Sequence, residues 1–300
     1  MVTGAPLGAP LWRSGARFGV GRQRYDVRGS RPFFNRGSRA AKLCAMSAPE
    51  PSQTVGPTVG LRFDHVSMVF PDGTRALDDV SFEVRRGEFV TVVGPSGCGK
   101  STLLRIASGL LDGATGSIEL DDANIGYVFQ DATLLPWRTV QRNVELFAEL
   151  HGVDKAQRAR RAAEAIELVG LKGFEHSYPR RLSGGMRMRA SLARSLTLSP
   201  KLFFFDEPFG ALDEITRERL NEELLRLFLG EQFGALFITH SIYEAVYLSS
   251  RILVMSARPG RIVAEFDVPF AYPRTEDLRF DPAFAELSGR VSHALREAHA

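Results

Sequence analysis

Phe89-Val90-Thr91-Val92-Val93 runs directly into Gly94-Pro95-Ser96-Gly97-Cys98-Gly99-Lys100-Ser101-Thr102. The first segment is almost wholly apolar, the composition of a strand buried on both faces. The second matches GxxxxGK[ST], and a helix from Lys100 to about Ser108 follows it, the context that gives this pattern its meaning. Glycines let such a loop curl until its N–H groups converge, and the helix N-terminus adds positive potential at the same point. Gly94, Pro95, Ser96, Gly97, Cys98, Gly99, Lys100, Ser101 and Thr102 are therefore the candidate phosphate-binding residues. Lys100 is placed to reach β and γ phosphates, and Ser101 to put its hydroxyl on Mg²⁺.

A second apolar strand, Leu202 to Phe205, ends in Asp206-Glu207-Pro208. Two acids at the C-terminal edge of a sheet stand where open α/β folds bind ligands. Asp206 suits a hard cation. Glu207 suits the polarisation of a water for attack on a γ phosphate.

The remaining pattern frames these motifs. Leu61 to Phe70 reads as a strand before a Pro71-Asp72-Gly73 turn, and Val80 to Val84 as its neighbour. Ala235 to Ile238, Ile252 to Met255 and Ile262 to Phe266 read as further strands. Strands alternating with helices predict an α/β core with a mostly parallel sheet. Residues 140 to 196 read as mainly helical and interrupt that alternation, as an inserted subdomain would. A last helix over Ala283 to Glu297 sets Phe284, Leu287, Val291 and Leu295 on one face. The expected division is a disordered extension over 1–58, an ATPase domain over 59–270 with a helical subdomain at about 131–196, and a helical tail over 271–300.

Composition narrows the class. The 300-residue chain carries a formal charge of +3, but residues 1–45 alone hold eight Arg and one Lys against Asp26. That leaves about −5 on the remainder, which argues against a nucleic-acid-binding surface. The Arg-rich, acid-poor start resembles an organelle transit peptide. A true start at Met46 is the plainer account. No run approaches the roughly 18 apolar residues of a membrane span. Cys44 and Cys98 have no CxxC partner, so neither a zinc site nor a disulfide framework is indicated.

Leu182-Ser183-Gly184-Gly185-Met186 reads as a helix start with Ser183 as cap and bare glycine amides behind it, a second phosphate-binding device. One nucleotide has no use for two such devices on one chain. A face-to-face pair has, because each signature closes on the nucleotide held by the other chain.

Here the sequence resembles the ABC ATPase family, whose signature is LSGGQ. The resemblance covers roughly residues 60 to 270. It implies a RecA-like P-loop NTPase fold, with a mixed-sheet core, an inserted helical subdomain and an N-terminal antiparallel β region. It implies that Phe70 stacks on adenine. Gln130, in Tyr127-Val128-Phe129-Gln130, matches the Q-loop glutamine at the γ phosphate and cation. Asp213, in Gly210-Ala211-Leu212-Asp213, matches the D-loop, and His240, after Phe237-Ile238-Thr239, matches the switch histidine. Ser183, Gly184 and Gly185 become nucleotide ligands across a homodimer.

Leu182 to Arg189, Asp206 to Asp213 and Glu244 to Ile262 look most like ATPases of nitrate, sulfonate and taurine importers. That resemblance implies ATP and Mg²⁺, two polytopic permease subunits and an extracytoplasmic solute-binding protein. It places the chain peripherally on the cytoplasmic face of the inner membrane. An exporter ATPase and a non-transport ABC ATPase are the alternatives.

The sequence departs from the family at several positions. Met186 replaces the signature Gln, Met188 stands where this subgroup commonly has Gln, Phe70 replaces a frequent Tyr, and Ser241 stands where Asp is common. The span from Ser117 to Gln130 is several residues short, which would trim a surface hairpin. Leu134-Leu135-Pro136-Trp137 is apolar and loop-like, and reads either as a partner site or as a segment buried under the helical subdomain.

Overall fold

A computed structural model describes residues 23–26, 58–121 and 125–298. The extension expected to be disordered over 1–58 therefore lies outside the described residues, except at its two short described pieces. One of these, Gln23–Asp26, is a strand (β1) paired antiparallel with Thr115–Leu120 (β5). Four residues are too few for periodicity to reveal a strand, and the pairing partner is remote in sequence.

Two sheets form the frame. The antiparallel sheet runs in the order β1-β5-β2-β3, with β2 at Val59–Val69 and β3 at Arg75–Arg85. The mixed sheet runs in the order β10-β9-β4-β8-β7-β6. Its strands are β4 (Phe89–Val93), β6 (Ile125–Val128), β7 (Leu202–Asp206), β8 (Gly234–Thr239), β9 (Arg251–Met255) and β10 (Ile262–Asp267). All neighbours are parallel except β10, which closes the edge antiparallel to β9.

The strand pleat splits the core in two. In β4, Phe89 and Val93 face one cluster, while Val90 and Val92 face the other. Phe203 and Phe205 of β7 divide from Leu202 and Phe204 in the same way, as do Ala235 and Phe237 of β8 from Leu236 and Ile238. Period-two alternation with apolar residues on both sides is why these strands read as unbroken apolar runs. One face carries the antiparallel sheet and helix α1 (Lys100–Ala107). The other packs Phe89, Phe205 and Phe237, with ring centroids 5.7–6.4 Å apart, under the longer helices.

Helices α2 (Val140–Val144), α3 (Leu146–Leu150), α4 (Lys155–Leu168) and α5 (Gly184–Leu196) occupy the stretch between β6 and β7. Ser195 in α5 donates from Oγ to the Tyr127 carbonyl at 3.0 Å, fastening this helical block to the sheet. Helix α6 (Glu214–Glu231) follows β7, and α7 (Ile242–Leu248) follows β8. Helix α8 (Pro282–Glu297) buries Phe284, Leu287 and Val291. Arg274 braces this C-terminal region, with one guanidinium nitrogen donating to the carbonyls of Val246, Tyr247 and Ser249 at 2.8–3.1 Å.

Candidate nucleotide site

Parallel register brings the motif residues to one edge. Val93 pairs with Thr239, and Asp206 pairs with Ile238. The residues that follow these strand ends, Gly94, Glu207 and His240, thus emerge together at the C-terminal edge. Gln130 joins them by the same logic. It lies two residues past Val128, whose partner is Phe205, and it is exposed there.

The loop from Gly94 leads into α1 at Lys100. Gly99 has φ 113°, and a Cβ there would lie 2.8 Å from the Ala76 carbonyl oxygen, so both backbone and space require glycine. Lys100 is buried and donates from Nζ to the carbonyls of Gly94 at 2.8 Å and Pro95 at 2.9 Å. Its charge also lies 3.8 Å from Oε1 of Glu207. Pro95 has no N–H and contributes only that carbonyl. The Cys98 thiol is turned into the core, where burial raises its pKa, so only its backbone is available to a ligand. Thr102, half-buried, continues the first turn of α1.

Ser101 donates from Oγ to Oδ1 of Asp206 at 2.7 Å. Burial pushes the Asp206 carboxyl above the usual carboxylate range, and the Ser101 bond opposes that shift. Two hard oxygen donors side by side at a phosphate loop fit Mg²⁺. Among the described residues no three His, Cys, Asp or Glu side chains converge, so these two side chains would supply only part of a Mg²⁺ coordination shell.

Glu207 sits at φ 46°, in the left-handed region that a side chain rarely adopts. Its amide donates to the Ile238 carbonyl at 3.0 Å, and its carbonyl accepts from Gly210 at 3.1 Å, so the turn is held on both sides. Its Oε2 lies 3.0 Å from Nδ1 of His240. A carboxylate held in this way, with a lysine on one side and an imidazole on the other, can orient a water toward a phosphate bound above the loop.

Three elements around the site were not foreseen. Thr239 donates to the buried Glu244, whose carboxyl is pushed up by burial, and Glu244 lies 3.8 Å from Arg217. Ser241 caps α7 by accepting from the Glu244 amide at 3.3 Å, so it fills the capping role open to an Asp. The spacing Ser241-x-x-Glu244 is a capping-box pattern and was the available signal. Arg258, after β9, donates to the carbonyl of Gly97.

The other expected ligands are dispersed. Phe70 is half-buried on the antiparallel sheet and starts a turn whose amide donates to the Thr74 carbonyl at 2.9 Å. Ser183 caps α5, accepting from Met186 at 3.2 Å, while Met186 packs against the core. Asp213 caps α6 through the Thr216 amide at 3.0 Å, which lowers its pKa. Among the described residues, no hydrogen bond or ion pair joins Ser183, Gly184 or Gly185 to the phosphate loop of the same chain.

The family model described as ABC transporter matches residues 77–210. The taurine import ATP-binding protein TauB of Rhizobium johnstonii is 44% identical over 251 residues, covering 78% of this chain and 96% of that protein. The chain belongs to the ABC transporter ATP-binding family. The aliphatic sulfonates import ATP-binding protein SsuB of Bacillus cereus is also 44% identical, over 76% of this chain and 92% of that protein. A dimeric post-hydrolysis structure of the ATP-binding cassette MJ0796, bound to ADP and Pi, superposes with a TM-score of 0.60 at 29% identity, over 70% of this chain and all of the cassette. As an ABC ATPase, this chain has the mixed-sheet P-loop fold expected, and it binds and hydrolyses ATP. No helix among the described residues is long and apolar enough to cross a membrane.

Proposed function

We propose that this ABC ATPase drives import of a small anion of the sulfonate, taurine or nitrate type as one half of an ATPase dimer. The site geometry supports the chemistry, above all Glu207 held between Lys100 and His240 at the sheet edge. Lys100 leaves the Gly94 and Pro95 carbonyls to meet the β and γ phosphates, exchanging neutral acceptors for charged ones. Ser101 and Asp206, assisted by Gln130, would hold Mg²⁺, which would supply charge neutralisation at the phosphates. Glu207 orients the attacking water, and His240 keeps Glu207 in place while facing the γ phosphate. Phe70 stacks on the base. Ser183, Gly184 and Gly185 close on the nucleotide of the partner chain, with Asp213 beside that seam. Among the described residues no hydrogen bond ties Ser183 to its own phosphate loop, which supports that role.

The importer direction rests on the two relatives, identical at 44% across nearly their whole lengths. Permease subunits would dock at the loop after Gln130, where Trp137 is 71% exposed. A solute-binding protein would act through the permease, and the chain would sit on the cytoplasmic face of the inner membrane. Co-expression with a polytopic membrane subunit and reconstitution in vesicles should give ATP-dependent uptake of taurine or an alkanesulfonate. Efflux, or failure to assemble with any membrane subunit, would retire the importer assignment and leave the ATPase intact.

A further inference from the structure

Beyond the family motifs, one side chain holds the phosphate loop from outside. Arg258 donates from Nε and Nη2 to the Gly97 carbonyl oxygen at 3.2 and 2.9 Å. Gly97 is the middle of the loop, and its carbonyl shares a peptide plane with the Cys98 amide. In a trans peptide, C=O and N–H point in opposite directions. A carbonyl held by Arg258 therefore turns the Cys98 N–H to the other side, where it donates to the Pro95 carbonyl at 3.4 Å, an acceptor that a phosphate oxygen would replace.

The segment carrying Arg258 is built to resist movement. It joins β9 to β10 and is braced on itself. The Ser256 hydroxyl donates to the Pro259 carbonyl at 2.9 Å and accepts from the Arg261 amide at 3.0 Å. It is also tied to β3. The Gly260 amide donates to the Ala76 carbonyl at 2.9 Å, and the Asp78 amide to the Gly260 carbonyl at 3.0 Å. Arg261 adds an ion pair to Asp78, with Nε 2.8 Å from Oδ2. Its backbone touches the loop itself, since a Cβ on Gly260 would stand 2.3 Å from the Cys98 carbonyl oxygen. On the base side, Asp72 lies in the turn that follows Phe70. Its carboxyl is lowered first by the Thr74 amide and in addition by the Arg258 charge.

We propose that Arg258 is a positioning residue for nucleotide binding: it clamps the Gly97–Cys98 peptide so that the loop is preformed for the β phosphate. The proposal rests on the phosphate-loop assignment of residues 94 to 102. Arg258 is exposed, so water screens the bond, but a charge-assisted bond is stronger than a neutral one, and its loss falls on binding because an unclamped peptide must be ordered by the ligand.

The test is Arg258→Ala in the full chain, with fluorescent ATP and ADP analogues and thermal melts. Both nucleotides should bind about 10-fold more weakly, equivalent to ~1.4 kcal/mol, because both carry a β phosphate. KM for ATP should rise while kcat at saturation stays within about twofold. The nucleotide-free melting temperature should not move, and the shift induced by ATP should shrink. Arg258→Lys, which keeps the charge but loses the fork, should restore part of the affinity. Unchanged affinity overturns the proposal, and so does a fall in nucleotide-free stability that Arg258→Lys fully restores without restoring affinity. If the wild-type chain itself fails to bind ATP, it is the phosphate-loop assignment that fails, a separate result.

Discussion

Oε2 of Glu207 lies 3.0 Å from Nδ1 of His240, and the other carboxylate oxygen of Glu207 is 3.8 Å from Nζ of Lys100. The strands that present these side chains are all parallel, so their ends converge where ligands bind in open α/β sheets. Glu207 reaches this position through a left-handed turn, a conformation that costs energy and persists where the surroundings enforce it.

Replacing Glu207 with Gln should remove the acceptor for the water proton while leaving the side-chain shape. Hydrolysis should fall by about 10²–10⁴-fold with ATP affinity retained, and the stalled chain should dimerise with ATP. Phosphate release and gel filtration with ATP read both outcomes, and near-normal turnover would remove Glu207 from the chemistry. Lys100→Ala should instead weaken nucleotide binding itself.

Asp206 supplies a test in the opposite direction. Its folded pKa is raised by burial, so its contribution to stability is present below the unfolded value and lost as pH rises through the folded one. Ionising this buried carboxyl as pH rises therefore costs stability when no cation is bound. Asp206→Asn should raise the nucleotide-free melting temperature at pH 7 and shrink that gain at acid pH. The same variant should lose the additional stabilisation by Mg²⁺ over ATP alone. A melting temperature that drops at pH 7 would refute this account of Asp206.

Asn143 is fully buried and holds the loop after Gln130. Its side chain accepts from the Leu135 amide at 2.7 Å and donates to the carbonyls of Leu135, Arg138 and Thr139. Asn143→Ala leaves an amide and three carbonyls without that partner, at a cost of about 1–3 kcal/mol. Urea unfolding should show it, and a loss below about 0.5 kcal/mol would mean that water replaces the bonds.

Trp137 sits on that loop with 71% of its surface exposed. Burial under the helical subdomain, the alternative open from the sequence, does not hold for this residue. Trp137→Ala should leave melting temperature and basal ATPase activity of the isolated chain intact. It should weaken assembly with a membrane subunit by about 2 kcal/mol, as for an interface hot spot. Recovery of the complex at wild-type levels would locate the partner surface elsewhere.

Local patterns in this chain are strong where one element does the work. The strand before Gly94, the helix from Lys100 and the cap at Ser183 were all legible, because apolar periodicity and capping chemistry act over a few residues. Leu134 to Trp137 was legible as apolar, but not its division into a half-buried Leu134 packed on the core and an exposed Trp137, since that depends on what Arg194 and Asn143 hold beneath it. Arg194, from α5, donates to the carbonyls of Ala132 and Thr133, a contact that spans two elements. Strand β1 escaped notice for the same reason.

By itself the sequence determined the fold class, the phosphate loop and the order of the motifs, since each depends on residues adjacent in the chain. Only the tertiary structure decided which motif residues share one site. Lys100, Ser101, Asp206, Glu207 and His240 meet because parallel register aligns the ends of β4, β7 and β8. Ser183 and Asp213 stand apart, each capping its own helix. The contact of Arg258 with Gly97 spans 161 positions. It exists because the β9–β10 connection folds back on the loop, and that packing is set by long-range burial, which no local pattern records.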